Sequence, residues 1–302
     1  MRRSTIVDNS GMKIPFTKMQ GAGNDFVVLD GRGGLPAGLL EPEHIRRLAD
    51  RRFGVGADQI LLVEHDPSGE ADFVYRIFNA DGGEVAQCGN GARCFARYVH
   101  DKGLTNKTRF RVRTRSGVIE PRLESDGRVT VDMGPPGLHP QDLPFDVEGL
   151  RTMRCGEQLL YAMRTPMGPE VWVAPASMGN PHLVQWVGEW MQADLPTLGP
   201  WLERHARCPQ GANAGFAQFH SSQQISLRVW ERGAGETLAC GTGACAAVVC
   251  GILQGVLARN QPVEVRTRGG TLTIQWSGHS ESSVFLTGPA ETTFEGVYWY
   301  ES

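Results

Sequence analysis

With 302 residues, 40% hydrophobic and 21% charged, the chain can fill one large core or two of ordinary domain size without covalent staples. A net charge of −3 supplies no polybasic field, so nucleic acid and anionic membranes are poor candidates as partners, and none of either kind is expected. No stretch approaches the roughly 18 uninterrupted apolar residues of a membrane span. Seven cysteines occur without a Cys-x-x-Cys pair or a zinc spacing, so the expectation is no metal and reduced thiols in a cytoplasm.

In chain order, residues 1–15 lack the apolar core of a signal peptide and read as a polar extension before the first strand. Asp66-Pro67-Ser68-Gly69 is turn chemistry, and the alternation from Ala71 to Phe78 reads as a strand. A glycine-rich loop and Cys88 follow, then a helix with Ala92, Phe95, Ala96 and Val99 on one face and Gly103 as its stop. Strands are expected at Phe110 to Thr114 and Val129 to Met133, and Gly134 to Gly137 reads as a crossing between domains. Further on, Ile225 to Trp230 alternates, Cys240 follows another glycine-rich loop, and Ala244 to Leu253 is apolar on nearly all sides, which predicts a buried helix. Strand-like runs at Val263 to Arg268, Leu272 to Trp276 and Val284 to Thr287 complete this half, and Phe294 to Tyr300 is expected to return to the first domain.

The two halves repeat one another. Phe78 to Ala92 superimposes without a gap on Trp230 to Ala244, matching Gly83 with Gly235, Glu84 with Glu236 and Cys88 with Cys240. Nearly the same shift matches Ala22–Val28 with Met178–Val184, Val112–Gly117 with Val265–Gly270 and Met133–Pro135 with Thr287–Pro289. The expected fold class is therefore α+β: two pseudo-symmetric domains, each a mostly antiparallel, barrel-like sheet around a central helix. The predicted boundaries are 1–137 plus 288–302, and 138–287.

Two thiols in one repeated setting suggest two like groups facing one carbon, one removing a proton and the other returning it. A helix start lowers a cysteine pKa and offers free N–H groups to a carboxylate. Asn90 and Thr242 are good N-cap types, so Gly89-Asn90 and Gly241-Thr242 are candidate carboxylate sites. The same amides would stabilise charge developing as an α-proton leaves. Asymmetry between the thiols has two candidate sources: His182, as an imidazolium favouring a thiolate, and Glu231, favouring a neutral thiol. The only lysines are Lys13, Lys18, Lys102 and Lys107, none in a cysteine turn, which argues against a Schiff-base cofactor. Cys94, Cys155, Cys208, Cys245 and Cys250 read as small apolar residues. The arginine pairs 113/115 and 266/268 read as a solvated strand face, and Glu84 and Glu236 as loop braces.

Asn79-x-Asp81-Gly82 followed by Cys88-Gly89-Asn90-Gly91-Ala92-Arg93 resembles the signature of the diaminopimelate epimerase family. Gly21–Phe26, Gly54–Gln59, Met178–His182, Ala212–Phe216 and Glu231–Gly243 are similar to further blocks of that family. The resemblance implies a cofactor-independent, homodimeric enzyme that interconverts LL- and meso-2,6-diaminopimelate for lysine and peptidoglycan synthesis. It implies Cys88 and Cys240 as base and acid, with His182 and Glu231 tuning them. Asn24, Gln59, Asn79, Asn180, Asn213, Glu231 and Arg232 would bind substrate, with Gly89, Asn90, Gly241 and Thr242 at the helix starts. Gly83 stands where the signature usually has serine, and Phe294 where many members have a tyrosine that contributes to the dimer. Proline and hydroxyproline racemases, the alternative of similar fold, tend to carry histidine where Asn90 stands.

Overall fold

The computed structural model describes residues 11–85 and 89–300. Cys88, with Ala86 and Gln87, lies outside the described residues, as do residues 1–10 of the expected extension. The first strand begins at Met12, inside that expected extension.

The chain divides into two compact units. The first holds Met1–Gly21, Asp25–Glu120 and Ala290–Ser302; the second holds Ala22–Asn24 and Pro121–Pro289. The crossing therefore falls at Glu120/Pro121 and not at Gly134–Gly137. The reason is pairing: Arg122–Leu123 and Val129–Asp132 join the second sheet, the latter antiparallel to Phe285–Gly288.

The first unit's sheet runs, in spatial order, Glu291–Tyr300, Met12–Gly21, Asn24–Asp30, Gln59–Glu64, Phe73–Asn79, Val112–Thr114 and Gly117–Ile119. The short arm Glu84–Val85 pairs with Phe73–Asn79. The tail strand Glu291–Tyr300 lies antiparallel to Met12–Gly21, with Phe16 opposite Gly296. Helix α1 (Pro42–Ala49) packs Ile45 and Leu48 into a cluster with Val27, Leu29, Ile60 and Leu62. Helix α2 (Gly89–Asp101) buries Phe95 against Tyr75 and turns Arg97 outward to an ion pair with Asp101. Gly103, at φ 65°, ends it.

The second sheet has twelve strands, eleven on one path from Thr152–Cys155 to Arg122–Leu123, with Gly235–Glu236 paired to Gln224–Glu231. Helix α3 (Leu195–Glu203) lies over Asn213–Ser221 and Gln224–Glu231. Helix α4 (Gly241–Leu253) buries every residue but Thr242, and its alanines, glycines, cysteines and valines let six strands approach it closely. Neither sheet closes into a barrel; each is an open path carrying helices.

Gly91 and Gly243, the last glycines of the two Gly-x-Gly turns, show why helix and strand meet there. A Cβ on Gly243 would stand 2.9 Å from Val229 Cγ2 and 3.2 Å from Cys240 Sγ, and one on Gly91 would strike the Tyr75 hydroxyl. The repeated glycines are thus a packing requirement of each cysteine turn.

Candidate active site

Strand Gln224–Glu231 turns at Gly233 and Gly235, both at positive φ, and returns as Gly235–Glu236 before running to Cys240. This brings Glu231 beside the cysteine although nine residues separate them. Thr237 Oγ1 donates to Glu231 Oε1 at 2.5 Å. Cys240 itself is the N-cap of α4, and its Sγ accepts from the Gly243 N–H at 3.3 Å. Thr242, expected as a cap, sits in the first turn with its Oγ1 3.4 Å from Cys240 Sγ. In the first unit α2 already begins at Gly89, so Asn90 is likewise inside the helix.

The helix start does not win control of this thiol. The Gly243 N–H and the Thr242 hydroxyl favour the thiolate, but burial and then the Glu231 charge push the Cys240 pKa well above its ordinary value. Cys240 is 4% exposed, so the desolvation cost of a charged sulfur is nearly complete. It rests as a thiol.

His182 does not supply a cation. It is fully buried in strand Pro181–Trp186, and burial followed by the Arg232 charge lowers its pKa to about 3. The imidazolium expected from sequence is therefore absent near neutral pH, because a charged ring there would lose its water without gaining a carboxylate. Its Nε2 lies 3.1 Å from Asn180 Oδ1 and 3.4 Å from Asn213 Nδ2. Its neighbour in register is Asn213, whose Oδ1 accepts from the Arg232 backbone N–H at 2.8 Å. Asn180 Nδ2 donates to Thr242 Oγ1 at 3.3 Å. Asn180, His182, Asn213, Arg232, Glu231, Cys240, Gly241 and Thr242 thus form one connected group in the second unit.

In the first unit, Gln59 and Asn79 stand opposite each other on adjacent strands, and Gln59 Nε2 donates to Asn79 Oδ1 at 2.8 Å. Gln59 Oε1 is buried without a hydrogen-bond partner among the described residues, an acceptor that a bound ammonium would satisfy. The start of Gln59–Glu64 is anchored by reciprocal bonds: Asp58 N–H to Asp25 Oδ1 at 2.9 Å, and Asp25 N–H to Asp58 Oδ2 at 3.2 Å. Arg51 bridges both carboxylates, and Lys18 adds a 2.6 Å contact to Asp25, holding its carboxyl far below the usual range despite burial. Asn24 opens strand Asn24–Asp30 and is half-buried.

Sequence reasoning missed three groups. Thr237 orients Glu231. Glu203, buried on α3, accepts from Trp230 Nε1 at 2.7 Å and from the Gly233 N–H at 2.9 Å, fixing the turn that carries Glu231 and Arg232. Arg76 and Arg228 hold Glu84 and Glu236; their signal was present, since they obey the same repeat shift as the cysteines. Arg268 also reaches Glu236, at 2.9 Å, and Arg113 pairs with Asp66 and Glu70, so these strand arginines are not merely solvated.

The matched glycines 83 and 235 differ in backbone. Gly235 has φ 80°, whereas Gly83 is outside the positive-φ region and, among the described residues, a Cβ there would meet Asp81 alone, at 3.1 Å. Gly83→Ser is expected to leave thermal stability and activity within about twofold, while Gly235→Ser costs about 1–2 kcal/mol. Equal melting temperatures for the two variants would contradict this.

The sequence profile described as diaminopimelate epimerase matches residues 16–139 and 175–293. The chain belongs to the diaminopimelate epimerase family. A diaminopimelate epimerase of Herminiimonas arsenicoxydans is 56% identical over 285 residues, covering 94% of this chain and 99% of the relative. One of Laribacter hongkongensis is 54% identical over 286 residues, covering 94% and 99%. Among solved structures, a Bacillus anthracis phenazine biosynthesis protein of the PhzF family aligns with TM-score 0.70 and 14% identity over 95% of this chain and 99% of that one. A hydroxyproline epimerase from Agrobacterium vitis aligns with TM-score 0.65 and 16% identity over 100% and 95%. At such identities the likeness shows the fold alone, and it shows that diaminopimelate epimerase-family chains share this paired architecture with other enzymes.

Proposed function

We propose that this chain interconverts LL- and meso-2,6-diaminopimelate without a cofactor, Cys240 entering as the neutral thiol and Cys88 as the thiolate. The observation that carries the assignment of roles is Cys240 at the head of α4, buried, capped by the Gly243 N–H and pressed by Glu231. A two-thiol epimerase needs one sulfur protonated before the cycle starts. Cys88 then removes the α-proton, the developing carbanion delocalises onto the carboxylate, and Cys240 protonates the opposite face. In the reverse direction the roles exchange. No electrons are gained or lost, and the proton count is unchanged.

Gly89-Asn90 and Gly241-Thr242 supply N–H groups for the reacting carboxylate, as helix starts do. Asn24, Gln59, Asn79, Asn180, Asn213, Glu231 and Arg232 bind the remainder of the substrate, a molecule with an ammonium and a carboxylate at each end. His182, neutral, acts by holding Asn180 and Asn213. Reduced thiols suit a cytoplasmic site of action. Among the described residues no helix is long and apolar enough to cross a membrane. A homodimer is part of this reading. The tail strand exposes Val297 and Trp299, two residues apart and so on one face, at 50% and 57%, an apolar pair that a second copy would cover. A monomer in sedimentation at micromolar concentration would remove that part.

The test is incubation of LL-diaminopimelate with the protein in D2O. Deuterium should enter the product at the inverted α-carbon while recovered substrate stays unlabelled at early times. Equal early labelling of both would mean that a single base serves both faces.

A further inference from the structure

Four residues before each cysteine of the repeat stands a glutamate, and each is gripped in the same way. Arg76 donates from Nε to Glu84 Oε1 at 2.9 Å and from Nη2 to Oε2 at 3.0 Å. Arg228 donates from Nε to Glu236 Oε1 at 2.7 Å and from Nη2 to Oε2 at 3.1 Å. A second arginine supports each fork: Arg115 Nη1 donates to the Glu84 carbonyl at 3.3 Å, and Arg268 Nη1 to Glu236 Oε1 at 2.9 Å. In both hairpins the glutamate stands opposite an aromatic residue of the long strand, Phe78 with Glu84 and Trp230 with Glu236. Arg228 is tied further, its Nη1 reaching the Trp190 and Met191 carbonyls at 3.1 Å each. Its side chain is only 10% exposed.

A two-point fork fixes both the position and the plane of a carboxylate, which a lysine or a single bond does not. The arms themselves are too short to hold their own place: Glu84–Val85 and Gly235–Glu236 are two residues each. Solubility does not require such a construction, since either glutamate would be satisfied by water. We propose that the Arg76–Glu84 and Arg228–Glu236 forks are positioning residues, one per repeat, that set the arms leading into Cys88 and Cys240. In the second repeat the arm also carries Thr237 against Glu231, so the fork governs how firmly that carboxylate faces the thiol.

The inference rests on the two-thiol reading for its kinetic consequence but not for its effect on the sulfur. Glu236→Gln and Arg228→Lys are expected to lower kcat by about 10- to 100-fold, with KM changed less than about threefold, as small misplacements of reacting groups do. Both should also move the pH midpoint for alkylation of Cys240, followed by peptide mass spectrometry, to lower pH. Glu84→Gln should lower kcat similarly and leave the Cys240 midpoint in place. A merely structural role would lower the melting temperature without separating the two forks in this way. If Glu236→Gln fails to fold, Arg268→Met, which keeps the Arg228 fork, should give the same changes at smaller size. Unchanged kcat and an unchanged Cys240 midpoint in folded Glu236→Gln would overturn the proposal, as would an equal midpoint shift in Glu84→Gln. Wild-type protein inert toward LL-diaminopimelate would instead sink the functional reading, and the alkylation measurement would still decide the role of the forks.

Discussion

Cys240→Ser should keep the fold and lose epimerisation by about 1,000-fold or more, the scale of removing a positioned acid or base. The reason it separates stability from chemistry is that Cys240 is the N-cap of α4, accepting from the Gly243 N–H. Serine is among the best residues for that role, so the melting temperature is expected to hold or rise. Its hydroxyl, by contrast, neither gives nor holds a proton as a thiol does near neutral pH. The variant should also expose the division of labour. With Cys88 as the only working base, one diastereomer of diaminopimelate should exchange its α-proton for deuterium without inverting, because the proton leaves and returns on one face. The other diastereomer should exchange far more slowly. Full turnover in the variant, or equal exchange of both diastereomers, would refute the paired-thiol mechanism.

Much of this site is legible in the sequence, because the internal repeat compares the chain with itself. Two cysteine turns in register, each with Gly-x-Gly, identified the head of α4 and the neighbourhood of Glu231. Periodicity found α4 because an all-apolar helix has one reading at that length, and it found Gln224–Glu231 because its faces alternate. What sequence could not settle was any balance of opposing effects. A helix start lowers a thiol pKa, while burial and a carboxylate raise it; which wins depends on distances that spacing does not encode. For Cys240 the second pair wins. The same holds for His182, whose charge was decided by complete burial. The domain boundary was misplaced because Gly134-Pro135-Pro136-Gly137 has linker composition, whereas Arg122–Leu123 and Val129–Asp132 change sheets ahead of it through pairing with distant strands. Glu203 carried no signal, since a glutamate near a helix end is ordinarily a solvated charge. Only its contacts with Trp230 and Gly233 reveal its work.

Glu231→Gln should lower kcat/KM by about 100-fold and move the alkaline limb of its pH profile to lower pH. Gln still accepts from Thr237 Oγ1 and keeps the volume, so the change is mainly one of charge. Burial is the largest cause of the raised Cys240 pKa and Glu231 the next, so deleting the charge lowers the pKa from where it stands. The sign follows from the form in use. Free enzyme ready for the LL-substrate needs Cys240 protonated, so activity falls as pH rises through the Cys240 pKa, and lowering that pKa brings the fall to lower pH. The rate at the optimum drops for a second reason. In the meso-to-LL direction Cys240 is the base, and a less basic thiolate removes the α-proton more slowly. Because the ratio of kcat/KM values in the two directions is fixed by the substrate equilibrium, the loss must appear in both in the same proportion. Each unit of lost basicity is worth up to about 1.36 kcal/mol. A pH profile and a Cys240 alkylation midpoint that both match wild type would show that some other group keeps the proton on this sulfur.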